Sequence, residues 1–268
     1  MVNENKTVSD QKQKKKKRSP VLAAAIVFGG LLLVLMITLA FFTSFDEVTN
    51  VFGGGRLDIL LTEPHWKAEK ARNIVPDAVL DKDPYVTNLE DTAVYVFLEV
   101  DVPYGSFEVE KNSGNDKGTA LNTSPYGKIP LYKFGMMNDH NTHYDTTDDT
   151  IDYEPNYDST AQYVNQGWVL VGSPEFDDTD KVIRYIYAHV QVDNNNNNTN
   201  YLSPLGKGVR TGKPLFNTIR LANYDENNIV ADDYSVRVKA YGIQADFLAA
   251  NNTTTNDPVT VWKIIRGE

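Results

Sequence analysis

The sequence predicts an all-β protein: an antiparallel β-sandwich with long loops, preceded by one N-terminal hydrophobic helix. Three observations carry this expectation. Runs of Val, Ile, Tyr and Phe recur along the chain, separated by Asn, Asp, Gly and Pro, which is the composition of short strands and turns. Helical patterning is sparse after position 45. A basic stretch, Lys14-Lys15-Lys16-Lys17-Arg18, precedes an uncharged apolar run from Val21 to Phe42. Such a flank directs translocation and keeps the basic side in the cytoplasm, so the rest of the chain is expected outside.

The apolar run has 22 residues, enough to cross a bilayer as a helix. Two readings stay open. Thr38-Leu39-Ala40 offers a signal-peptidase site with Phe41 as the new N-terminus, and Gly29-Gly30 weakens the helix as an anchor. Uncleaved, the same run holds the protein to the membrane. Without cysteine, a lipoprotein anchor is excluded.

Strand segments follow in order. Arg56–Thr62 ends before Pro64, and Ala93–Val102 is a long β-branched and aromatic run expected to close at Pro103. Gly167–Gly172 frames a short strand around Trp168, and Lys181–Gln191 is a second long one. Phe216–Leu221, Tyr234–Ile243 and Val259–Ile265 complete the set. Short helices are expected at Trp66–Asn73 and Asp158–Asn165. Lys111–Pro130, the acidic Asp139–Asp158 and the Asn-rich Asp193–Asn200 read as long loops, the last as a mobile one.

Charge narrows the function classes. The chain has 26 basic and 36 acidic residues; seven basic and two acidic ones precede position 41, leaving 19 and 34 in the exported part, net −15. Phosphate backbones repel such a chain, so nucleic acid is not an expected partner. Stability must come from a core, because no disulfide can form.

Five segments in order then carry a resemblance. They are Ala40–Asp46 with Asn50-Val51-Phe52 and Gly55–Ile59; Lys82–Asn88 with Ala93–Phe97; Gly167-Trp168; Thr211–Phe216 with Ile219; and Val238–Asp246. In these the chain resembles the TasA/camelysin family of exported, fibre-forming proteins of Gram-positive biofilms, which depend on a dedicated signal peptidase. The basic region and the apolar run are longer than that pattern, and loops 111–130 and 139–158 have no counterpart in it. The resemblance implies an extracellular or cell-surface location, partnership with the export machinery, and a structural role. It also implies that Phe41–Phe52 acts as a donor strand whose Phe41, Phe42, Phe45, Val48, Val51 and Phe52 fill a groove of the next subunit, with cleavage between Ala40 and Phe41. Head-to-tail donation does not close, so it propagates as a filament. The residues alone leave a second reading open: a first strand packed into its own domain.

Catalytic motifs are missing: no His-Glu-x-x-His, Gly-x-Ser-x-Gly, phosphate-binding glycine loop or cysteine nucleophile occurs. His140, His143 and Asp145, within a run reaching Asp152, are the metal candidates. Their readings are a solvated acidic loop, a calcium site through oxygens, or a transition-metal site through the histidines. The resulting expectation is a non-enzymatic chain with three parts: an N-terminal signal or anchor at 1–40, an extended donor segment at 41–52, and one sandwich of jelly-roll type at 53–268. It requires no cofactor, with calcium as a candidate ligand of the acidic loop. Two other classes remain as alternatives: a surface adhesin held by an uncleaved anchor, and a metal-dependent peptidase at His140 and His143.

Overall fold

Strands, many of them β-branched and aromatic runs, are the main regular element of the computed structural model. It describes residues 46–50, 57–71, 74–105, 107, 109–110, 128–140, 147–154, 162–195, 197–224, 235–250 and 256–268. The chain runs through β1 (Asp46–Asn50), β2 (Ile59–Thr62), a 3-10 turn (Ala68–Ala71), β3 (Val79–Asp81), β4 (Tyr85–Asn88) and the long β5 (Val94–Gly105). It continues through β6 (Ile129–Pro130), β7 (Tyr132–Asn138), β8 (Thr150–Tyr153), β9 (Trp168–Leu170), β10 (Glu175–Asp177) and β11 (Val182–Val192). β12 (Asn198–Leu202), β13 (Thr218–Leu221) and β14 (Arg237–Gln244) follow, and two helices, α1 (Ala245–Ala250) and α2 (Pro258–Arg266), close the chain. Residues 44–268 belong to one unit.

The strands form a sandwich-like all-β structure. One sheet has the order β1-β14-β5-β11-β10, with β9 and β12 also on β11 and β6 on β5. A four-stranded sheet runs β3-β13-β7-β8, and β2 pairs with β4. The strand pairs are antiparallel except β1–β14, which is parallel. The three sheets share one core: Val96, Leu98 and Val100 of β5, Tyr185 and Tyr187 of β11, Phe134 of β7 and Ile59 of β2 all lie in it. Phe134 stacks on Phe216 at 4.5 Å.

A second apolar cluster covers the other face of the large sheet. Phe97, Ile186, Ala188 and Ile243 meet Leu248 of α1 and Val261, Trp262 and Ile265 of α2. Burial on both faces explains why β5 reads as a continuous apolar run rather than an alternating one.

The helix α2 corrects the strand expected at Val259–Ile265. Val and Ile suggested β structure, but Pro258, Val261, Trp262 and Ile265 are buried at helical spacing on one face. Asp257 caps the start, accepting from Thr260 N at 2.9 Å, with Pro258 in the first turn. Gly267, at φ 76°, ends the helix in the left-handed region.

Other boundaries shift for local reasons. β5 continues past Pro103 to Gly105. Tyr104 N donates to Lys181 O, so the Pro103 nitrogen faces away from β11, where its carbonyl accepts from Leu131 N. The acidic 139–158 stretch contains β8, whose Tyr153 lies across from Gly135 of β7. A Cβ at Gly135 would sit 2.6 Å from Ile151 Cγ2 and 2.8 Å from the Tyr153 ring, so glycine is required there. Asp193 orders the turn before β12: its Oδ1 accepts from Asn195 N and Asn197 N at 2.9 and 2.8 Å. Of the short helices, the described part of Trp66–Asn73 holds a 3-10 turn over Ala68–Ala71; in Asp158–Asn165, residues 163–165 are irregular and 158–161 lie outside the described residues. Among the described residues no helix is long and apolar enough to cross a membrane. The Val21–Phe42 run lies outside them.

Candidate assembly edge

β14 supplies an edge with both faces already packed. Val238 and Ala240 point into the main core, while Tyr241 and Ile243 join the cluster under the helices. Tyr241 meets Trp262 edge-on at 5.2 Å. Gly242 lies beneath Leu57, whose Cδ2 would be 2.6 Å from a Cβ at that position. One backbone edge of β14 is satisfied by β5, in register from Arg237↔Asp101 to Gln244↔Val94. The other is satisfied by β1, in parallel register from Asp46↔Val238 through Val48↔Ala240 to Asn50↔Gly242. A strand with packed faces and an open backbone edge is a template for another strand, and β1 occupies that template.

Charges fix the register beside this edge. Glu99 and Asp101 of β5 are buried on the helix-side face of the sheet. Glu99 accepts from Lys239 Nζ at 3.2 Å and from the Tyr241 hydroxyl at 3.1 Å. Asp101 accepts from Arg184 Nε at 2.9 Å, and Arg184 Nε also lies 3.3 Å from Glu99. Burial pulls the Arg184 guanidinium down, but the Asp101 hydrogen bond and the nearby carboxylates hold its pKa above the ordinary arginine value. A one-residue slip of β14 or β11 would strand these carboxylates without partners, so the network specifies the pairing. The sequence reading missed this network. Its signal is the pair of acids at i and i+2 inside the apolar run of β5.

Three segments singled out from the sequence come together away from their order in the chain. Val86 N donates to Thr211 Oγ1 at 3.3 Å, Thr211 N to Val86 O at 2.9 Å, and Leu215 N to Pro84 O at 3.0 Å. The Trp168 indole donates to Lys213 O at 3.2 Å. Asn88 is fully buried; its amide donates to Thr92 O and Leu205 O, both at 2.8 Å, and its Oδ1 accepts from Glu90 N at 2.8 Å. Tyr241 and Ile243 fall on one face of β14 and Gly242 on the other, as strand alternation requires.

The remaining candidates distribute as follows. Val48 lies at the centre of β1; Phe41, Phe42, Phe45, Val51, Phe52 and the Ala40–Phe41 junction lie outside the described residues. His140 is exposed at the end of β7, with its amide on Asn138 Oδ1 at 3.1 Å and Nε2 3.2 Å from Thr150 Oγ1. His143 and Asp145 lie outside the described residues. Among those described, no group of three or more His, Cys, Asp or Glu is arranged to hold a metal ion. No protein-family model matches the chain, and neither a curated protein nor a solved structure matches it.

Proposed function

We propose that the chain is an exported structural subunit of a TasA/camelysin-type extracellular fibre, assembling by donation of its N-terminal strand into the β14 edge of a neighbour. The observation that supports this reading most is the position of β1. It is the edge strand of the large sheet, it makes the one parallel pairing among the described strands, and it fills an edge whose two faces are already packed. In the sequence, Gly53-Gly54-Gly55 comes after Val51-Phe52, between β1 and β2, and glycine is the residue type with the widest choice of backbone conformation. A strand tethered in this way can pair with its own β14 or with that of the next copy by the same backbone hydrogen bonds. In this reading the sandwich is a jelly roll, the subunit is released after Ala40, and its place is the surface of a Gram-positive cell.

Electron microscopy of a protein beginning at Phe41, beside one beginning at Gly53, tests the proposal. Filaments from the first and monomers from the second are expected. Monomers from both would refute self-assembly by this strand.

A further inference from the structure

We propose that Lys82 and Glu63 condense into an intramolecular isopeptide bond that takes the place of the disulfides this chain cannot form. Glu63 directly follows β2, and Lys82 lies between β3 and β4. The Lys82 side chain is 1% exposed and that of Glu63 3%. Lys82 Nζ lies 2.7 Å from Glu63 Oε1 and 2.8 Å from Oε2. The nitrogen therefore lies against both carboxyl oxygens, about 3 Å from the carboxyl carbon, within the range at which reacting atoms meet.

The surroundings hold both partners in place. Trp66 N donates to Glu63 O at 3.2 Å, a tight turn that sets the indole over the amine, with Nζ 4.7 Å from the ring centroid. Lys82 N donates to Asn217 O at 3.1 Å, tying the lysine backbone to the segment before β13. The indole roof and the core exclude the water that would otherwise solvate both ions and compete for the acyl carbon.

The step balances without an oxidant or reductant. One ammonium proton passes to the carboxylate, giving an amine and a carboxylic acid. Nζ attacks Cδ, the C–N bond forms, and the C–OH bond breaks. The departing hydroxyl takes a second proton from nitrogen and leaves as water. The product is a neutral amide that removes both buried charges and closes a loop between residues 19 apart. Such a cross-link restricts the unfolded chain much as a disulfide does. The chain has no cysteine with which to make one.

Intact mass spectrometry of the denatured full chain, followed by tryptic mapping, tests the bond. The expected mass is lower than that of the sequence by one water. Trypsin should fail to cut after Lys82 and should yield a branched peptide joining the Glu63 and Lys82 segments. Glu63→Gln should form the same bond with loss of ammonia, and Glu63→Ala should keep its full mass. An unmodified wild-type mass with normal cleavage at Lys82, or a water loss that maps elsewhere, would overturn the proposal and leave a buried ion pair.

Discussion

The centre and the edge of the large sheet are built on different terms. β5 and β11 pair over seven registered positions, bury both faces, and are cross-linked by Arg184 to Asp101. β1 pairs over five positions, in parallel, with one neighbour in the sheet. Side-chain packing on two faces makes a strand hard to remove, whereas backbone pairing at an edge is interchangeable between donors of the same length. Under the proposed assembly, rigidity belongs to the centre and exchange to the edge, so that one molecule serves as both a stable domain and a unit of an open polymer.

The sharpest way to break that contrast is at the core. Phe134→Ala removes a fully buried ring stacked on Phe216 and in edge contact with Tyr185 and Tyr187. A loss of about 3–5 kcal/mol is expected in chemical denaturation. A chain starting at Gly53 lacks β1 altogether, yet should lose less stability than Phe134→Ala in the same assay, because edge segments open at the low end of the stability range. A larger loss would show that β1 belongs to the rigid part.

A third change probes the helix that seals the outer face. Asp257→Ala removes the cap of α2 and should cost about 1 kcal/mol, with unfolding still cooperative. A further effect is electrostatic. Burial is the main cause that pulls the Lys133 ammonium down to about 8, against an ordinary value of 10.5. Between those values the unfolded chain holds a proton that the folded chain has released, so this group makes stability rise with pH across the window. Below about 8 both states are protonated and the burial cost is present in full. The stability difference between wild type and Lys133→Met should therefore shift in favour of wild type as pH rises through the window; a flat difference would contradict it.

Much of the centre is legible in the sequence, because β5, β11 and β14 are long runs of β-branched and aromatic residues that tertiary contacts reinforce. The C-terminal segment misled for the same reason: Val259, Val261, Ile264 and Ile265 suit a strand, while the information that decides the matter sits in Asp257, Pro258 and Gly267 at its ends. β8 was hidden by its acidic composition, since only Ile151 and Tyr153 mark it as a strand. The buried charges were least legible. Lys239 finds Glu99 across 140 residues, and Arg184 finds Asp101 across 83, pairings that only the strand order creates. At the edge, the parallel pairing of β1 was invisible because residues 46–50 carry no alternation that names a partner.

Disulfide trapping addresses the exchange of β1 most directly, because the chain has no cysteine of its own. Glu47 and Lys239 are register partners across β1 and β14. Glu47→Cys and Lys239→Cys are placed in separate chains, mixed under assembly conditions and oxidised. The account predicts disulfide-linked pairs of chains within filaments. If the mixture yields none while a chain carrying both substitutions closes its bond internally, β1 stays with its own domain and strand donation at this edge is contradicted.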